Sequence, residues 1–349
     1  MNSLAADAFK WGNITMGGGG FVSGIITCPT EKNLIFARTD VGGAYRWDND
    51  TKSWIPLLDG LTSDQTSYYG VESMAVDPQS PNKVYISAGT SYWNSGITAI
   101  LRSADYGATW TIVSRVDSLW KCNGNGMGRQ TGEKLAVDPN KGDILFCGTR
   151  SKGLFKSTDG GDTWTAVTSL TVPSSENGVS FVKFDKSSSS TGNATQTIYA
   201  GTSNTSGDNL FVSKDGGESW SAISGGPSGF MVARCALTSD GKILYIAYAN
   251  NPGPWCSSGN AKGYFYKYDV TANTFTDLSP QDFHSTVQYG QDDPYYGTYG
   301  GISIDASNEN GYLFLHRMPG NSSTGTVLVI RFFSLKTAGK HGVIFLVTA

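Results

Sequence analysis

Charge is scarce in this 349-residue chain. Asp, Glu, Lys and Arg make up 16% of it and the formal net charge is −3, against roughly 25% charged residues in an average globular protein. Long solvent-facing helices need many Lys and Glu, so they are not the main architecture. Bulk electrostatic recruitment of nucleic acid or an anionic membrane is excluded as well. Histidine is rarer still. Three scattered copies and no H-E-x-x-H leave no motif for catalytic zinc, so neither a metal nor any other cofactor is expected. The five cysteines, Cys28, Cys122, Cys147, Cys235 and Cys256, are widely spaced without C-x-x-C. That argues against a disulfide scaffold, although one incidental pair is compatible with the count. No run of 18 apolar residues exists, and the opening MNSLAADAFKWGN has no basic segment followed by an apolar one. The expectation is a soluble protein; a secreted form would have had its leader removed. G-x-S-x-G and G-x-x-x-x-G-K-[ST] are missing, and the Gly17–Gly20 run follows no clear strand, which makes nucleotide binding a poor reading.

What is abundant is glycine, 44 residues, and aromatics, with 9 Trp, 17 Tyr and 16 Phe. This mixture suits short strands joined by tight turns. Three segments repeat one pattern: a strand, a D-P or D-K turn, a strand ending in G-T, a strand ending in Ser, and the box S-x-D-x-G-x-[TS]-W. The boxes start at Ser103, Ser157 and Ser213. Spacings of 54 and 56 residues are slightly long for a four-stranded propeller blade, which tolerates insertions on one face. In each box a short carboxylate (Asp105, Asp159, Asp215) can accept from backbone N–H groups of its own turn. A glycine (Gly107, Gly161, Gly217) can take positive φ. A tryptophan (Trp110, Trp164, Trp220) starts the next strand and is expected to pack between sheets. These nine residues read as scaffold. Weaker copies flank them, closed by WDNDTKSW and by YDVTANTF. The expected fold is all-β, a β-propeller of the seven-bladed type with Asp-box hairpins. It is incomplete, with about five blades over residues 21–278 and part of a sixth beginning at GTYGGISID.

The pattern fails from about Leu315, and no Trp follows Trp255. Codons for SLKTAGKHG can be chosen so that a shifted frame reads S-K-D-S-G-K-T-W, another box. Residues 10–314 are therefore expected to be a partial propeller. Residues 315–349 are expected to be a frameshifted translation of the sixth blade ending in a premature stop, the alternative being a divergent C-terminal strand. N-x-[ST] patterns occur at Asn193 and Asn321.

The stretch GGGGFVSGIITCPTEKNLIFARTDVGGAYRWD, together with NGNGMGRQTGEKLAVDP and GTRSKGLFKSTDGGDTW, resembles the family 74 glycoside hydrolases, which include xyloglucanases and oligoxyloglucan reducing-end-specific cellobiohydrolases. The resemblance covers about residues 10–312. The N-terminal stretch is specific, whereas sialidases and sorting receptors share the boxes. It implies two seven-bladed propellers with a glucan cleft between them, of which the second is absent here. It also implies extracellular action and inverting endo-β-1,4-glucanase activity on xyloglucan and related β-glucans. The catalytic Asp in the motif RTDVGGAYRW matches Asp40, as general base; the other belongs to the second propeller and nothing here matches it. Inversion needs an acid and a base on opposite faces of the scissile bond, so this chain alone is expected to be inactive. From the residues alone Asp40 reads more readily as a plain turn Asp, and the family match reverses that. Arg38 either pairs with a carboxylate or supports the hairpin.

Aromatic platforms for glucan are expected at Tyr68, Tyr69, Trp93, Trp120 and Trp255, which lie in Gly/Ser/Asn-rich inserts away from box positions. Arg129 and Glu133, in MGRQTGE, either hold the cleft loop by an ion pair or touch sugar hydroxyls, the former preferred. The expected partner is a β-glucan, with no nucleic acid and no membrane. Two other readings stand: a non-catalytic glycan- or protein-binding propeller, and a sialidase-like hydrolase, which needs an arginine cluster. Of Arg38, Arg102, Arg129, Arg150 and Arg234, spacing groups no three on one face.

Overall fold

A computed structural model describes residues 18–90, 96–172, 177–250 and 263–279 in full, and the backbone of four strands between residues 302 and 348. Alternating apolar residues and Gly/Asp turns give five antiparallel four-stranded sheets in chain order. The first joins β1 (Val22–Thr27), β2 (Ile35–Thr39), β3 (Ala44–Asp48) and β4 (Ser53–Pro56). The second joins β5 (Val71–Val76), β6 (Val84–Gly89), β7 (Thr98–Ser103) and β8 (Thr111–Ser114). The third has β9 (Leu135–Val137), β10 (Leu145–Gly148), β11 (Leu154–Ser157) and β12 (Thr165–Val167). The fourth has β13 (Val179–Phe184), β14 (Ile198–Thr202), β15 (Leu210–Ser213) and β16 (Ser221–Ala222). The fifth has β17 (Met231–Leu237), β18 (Ile243–Ala249), β19 (Gly263–Asp269) and β20 (Thr274–Asp277).

Each sheet stacks on the next through its first strands, β1 on β5, β5 on β9, β9 on β13 and β13 on β17. Apolar faces between neighbours form the core, one cluster per junction. Phe36, Met74, Val84 and Ile86 fill the first junction. Tyr85, Leu135 and Leu145 fill the second, and Phe146, Val182 and Ile198 the third. The result is a propeller whose first strands surround an axis.

A sixth sheet follows: β21 (Ile302–Ile304), β22 (Gly311–Arg317), β23 (Val327–Ser334) and β24 (Val343–Thr348), with β21 beside β17. Only the start of this unit was expected from the repeat, yet the tail supplies the end of β22 and the whole of β23 and β24. A run such as VLVIRFF favours a strand whatever reading frame produced it, because β-branched and aromatic residues fit a pleated surface.

The three boxes share one hydrogen-bonded turn. In the first, Ser103 Oγ donates to Asp105 Oδ1 at 2.7 Å and accepts from Gly107 N–H at 2.8 Å. Asp105 also accepts from Thr109 N–H and Thr109 Oγ1. Asp159 and Asp215 repeat the arrangement with Thr163 and Ser219. The hydroxyl and amide donors pull the Asp105 and Asp159 carboxyls down to about 2. The box tryptophans close the turns: Trp110 Nε1–H donates to Leu57 O of the preceding sheet, and Trp164 Nε1–H to Gly161 O.

The first strand carries a register break at the same place in four sheets, between Val22 and Gly24, Val71 and Ser73, Val179 and Phe181, and Val232 and Arg234. A bulge leaves one residue unpaired and re-aims its side chain. Counted back from the turn, the five equivalent residues are Ser23, Glu72, Glu133, Ser180 and Ala233. Two of the five are carboxylates, and both organise the site.

Candidate functional site

Asp40 follows the last residue of β2 at one end of the axis. Its backbone N–H donates to Phe21 O, and its Oδ1 accepts from Phe21 N–H at 2.7 Å. The residue is 6% exposed. Arg129 places Nε 3.5 Å from Asp40 Oδ2, so a cation faces the oxygen that the backbone does not hold. The turn beyond is tight. Thr39 Oγ1 accepts from Gly42 N–H and donates to Gly43 O. A Cβ on Gly42 would collide with Gly19 O, and Gly43 has φ +86°, a conformation glycine adopts without strain.

The backbone links this turn to its neighbours. Gly43 N–H donates to Tyr69 O, Gly89 N–H to Gly70 O, and Gly124 N–H to Gly89 O. The loops ending the first three sheets are thereby tied side by side.

Beneath Asp40, residues 123–134 run into the axis and are held there by two ionic clusters. In the first, Arg38, with no exposed surface, donates from Nε to both oxygens of Glu133 at 2.8 and 3.1 Å. Its Nη1 donates to Ser23 Oγ and Arg129 O, and its Nη2 to Thr131 O. Glu133 also accepts from Ser73 Oγ and Met74 N–H. A Cβ on Gly24 would lie 2.7 Å from Arg38 Nε and 2.8 Å from Glu133 Oε1, so glycine is required where the pair crosses β1.

In the second, Glu72 accepts from Lys134 Nζ at 2.7 Å, from Arg150 Nε and from Asn123 N–H. Arg150 further donates to Met127 O and Asn123 O. Burial alone would raise the Glu72 pKa, but Arg150 and Lys134 outweigh it and hold the carboxyl at about 2.

Several sequence expectations are corrected here. Trp120 is not a platform. It is 2% exposed, packs edge-on against Phe155 and Trp164, and spends its Nε1–H on Ser114 Oγ. Tyr68 is fully buried in the first junction. A ring closed in on both faces cannot stack on a sugar. Both sit in polar inserts, so composition pointed outward while each insert folded back onto the core. Tyr69 is half-buried and has Cδ1 against Gly43, which leaves it beside the Asp40 turn. Trp93 and Trp255 lie outside the described residues. Arg129 and Glu133 do not pair with each other: Glu133 takes Arg38, and Arg129 faces Asp40.

Arg38, Arg129, Arg150 and Arg234 do converge on the axis, contrary to what spacing suggested, while Arg102 lies out on β7, and the four do not form a carboxylate-binding cluster. Arg38 and Arg150 serve Glu133 and Glu72, Arg234 donates to Gln130 O and Ser23 O, and Arg102 donates to Gly160 O and Asp162. Among the described residues no group of three or more His, Cys, Asp or Glu is placed to hold a metal ion. Glu72 and Lys134 were missed by sequence reasoning. The available signal was departure from the repeat: Arg38 stands where Gly89, Gly148 and Gly201 stand, and Glu72 and Glu133 where other sheets have Ser or Ala.

Replacing Trp120 separates core from platform. Trp120→Ala is expected to cost about 3–5 kcal/mol of stability in urea denaturation, while Trp120→Phe, which keeps a ring against Phe155 and Trp164, costs clearly less. A Trp120→Ala chain with an unchanged urea midpoint would take this residue out of the core.

A family model described as Sortilin-Vps10 (sortilin, neurotensin receptor 3) matches residues 98–278. The chain is 43% identical over 318 residues to the xyloglucanase Xgh74A of Acetivibrio thermocellus, covering 86% of this chain and 36% of that protein. Among solved structures, the GH74 enzyme of Niastella koreensis matches with a TM-score of 0.80 and 43% identity, over 96% of this chain and 46% of that one. The GH74 xyloglucanase of Xanthomonas campestris matches with a TM-score of 0.78 and 32% identity, over 97% and 47%. The chain thus spans about a third of the length of the curated relative and just under half of the two solved chains.

Proposed function

Because this chain belongs to the family 74 glycoside hydrolases as a portion of their N-terminal propeller, and through residues 98–278 to the Sortilin-Vps10 family, we propose that it forms one wall of a xyloglucan-binding cleft and supplies Asp40 as the general base of inverting hydrolysis. The observation that carries this reading is the Asp40 setting. A carboxylate is fixed at the axis end by Phe21 N–H, beside the Arg129 cation, on a turn whose glycines keep side chains away. A base must be held in a set orientation toward the water it activates, and such anchoring provides that.

The chemistry follows from the geometry of inversion. Asp40 takes a proton from a water on one face of the sugar ring. A second carboxylic acid, about 6.5–9.5 Å away, protonates the leaving oxygen on the other. By family resemblance that acid belongs to a second propeller, so this chain alone binds glucan and does not cleave it. The propeller is of the seven-bladed type, its box turns are Asp-box hairpins, and the protein acts outside the cell. Tyr69, beside the Asp40 turn, is the sugar platform we favour among the described aromatics. Trp93 and Trp255 stay as further candidates.

Affinity electrophoresis in xyloglucan-containing gels tests the reading with the chain as it is. Retardation by xyloglucan, absent with an α-glucan, and weakened several-fold by Tyr69→Ala, is expected. Migration indifferent to xyloglucan would overturn it. Release of reducing ends by the purified chain would keep the substrate and sink the claim of inactivity.

A further inference from the structure

At the end of the axis away from Asp40 lies a blind funnel of about 570 Å³, within the range of small-molecule pockets. Its mouth is rimmed by the turns that follow each first strand, among them Pro29, Pro78 and Pro139, and its floor is the Gly132–Glu133 backbone. The walls mix apolar side chains with polar and charged groups. At one wall position, two residues before each turn, the five sheets carry Ile26, Ala75, Ala136, Lys183 and Ala236. Four of these are apolar, and three are alanines that leave the funnel wide. The fourth sheet instead places an exposed lysine there.

The charge of the lining is one-sided. Its charged residues are Glu133, Lys183, Lys186 and Arg234. Glu133 is already satisfied by Arg38, Ser73 Oγ and Met74 N–H. Arg234 commits Nε and Nη2 to Gln130 O and Ser23 O, and its Nη1 makes no hydrogen bond among the described residues. The Lys183 side chain makes no hydrogen bond or ion pair among the described residues, and Lys186 makes no ion pair. Three cations thus face a partly enclosed space whose one carboxylate is neutralised. In such a space an anion gains more than it would in open water, because the low-dielectric walls concentrate the field.

We propose that this funnel binds a small organic carboxylate, its charge between Lys183 and Arg234 and its apolar body along the alanine-lined wall. The site is separate from Asp40 and does not depend on the hydrolase reading.

Benzoate is the probe, titrated into the full chain by calorimetry or NMR, with benzamide as the neutral isostere. Saturable benzoate binding is expected, with benzamide at least tenfold weaker. Lys183→Met should weaken benzoate at least tenfold, and Lys183→Arg should restore it. Since Lys183 is exposed, both variants should melt like the parent and keep its mobility in xyloglucan gels, so failure here and failure of the glucan reading are read separately. Equal binding of benzamide and benzoate, no effect of Lys183→Met, or no saturation by benzoate would each overturn the proposal.

Discussion

Asp40→Asn is expected to lower hydrolysis by about 10²–10⁴-fold, the usual range for a positioned general base, once a second propeller is supplied. A suitable form is a fusion of this chain to the C-terminal remainder of the Acetivibrio thermocellus xyloglucanase. The amide preserves the size of the side chain and leaves Oδ1 free to accept from Phe21 N–H, so the turn should stay intact while the proton acceptor is lost. The effect should therefore fall on turnover, with xyloglucan affinity changing little. An added anionic nucleophile such as azide should restore part of the rate in the Asp40→Asn variant, since it attacks the sugar without needing its proton removed. A fusion that hydrolyses xyloglucan equally well with and without the Asp40→Asn substitution would remove Asp40 from the mechanism. Loss of binding along with turnover would instead make it a contact residue.

The second large effect concerns Glu72. Removing one partner of a buried ionic cluster costs about 3–5 kcal/mol, because the charges left behind have neither water nor a counterion. Glu72→Gln removes the carboxylate charge that faces the buried Lys134 and Arg150, and its single oxygen cannot accept from every donor that the carboxylate serves. In a chain of this size that corresponds to roughly 4–7 °C in Tm. The pH dependence gives an independent signature. The Glu72 carboxyl is depressed from 4.5 to about 2 in the folded protein. A depressed acid stabilises the fold above its unfolded value and loses that contribution as pH falls toward the folded value. The parent should thus lose stability between about pH 4.5 and 2, whereas the Glu72→Gln variant, lacking this group, should lose less over the same interval. Urea midpoints at pH 7, 4.5 and 3 read both effects. Parallel pH profiles for parent and variant would show that Glu72 is not what acid titrates.

The two predictions meet in one segment. Residues 123–134 carry Arg129 to Asp40 and are pinned at Asn123, Met127, Arg129, Thr131 and Glu133 by Glu72, Arg150 and Arg38. The glycine-rich sequence NGNGMGRQTGE has little side-chain bulk with which to hold its own shape. The buried charges of Glu72, Arg150 and Arg38, on the sheets around it, do that from outside.

The repeat was legible in the residues alone, and with it the all-β class and the stacked four-stranded sheets. A turn such as S-x-D-x-G-x-[TS]-W encodes its geometry locally, through an Asp that accepts from its own turn and a glycine at positive φ. Asp40 was singled out by the family resemblance of RTDVGGAYRW, since from the residues alone it reads as a turn Asp. Which aromatic side chains of the inserts face the core was decided by packing. Tyr68 and Trp120 lie in polar loops whose composition suits a sugar platform, yet both are buried, because an insert's direction is set by the sheets it crosses. The ionic pairs were equally hidden: Arg38 with Glu133 lie 95 residues apart, and Glu72 with Arg150 lie 78 apart. Each pair joins different sheets across the axis. Only closing the sheets around that axis brings such charges together, and a charge at a bulge acquires its partner from whatever the neighbouring sheets turn inward.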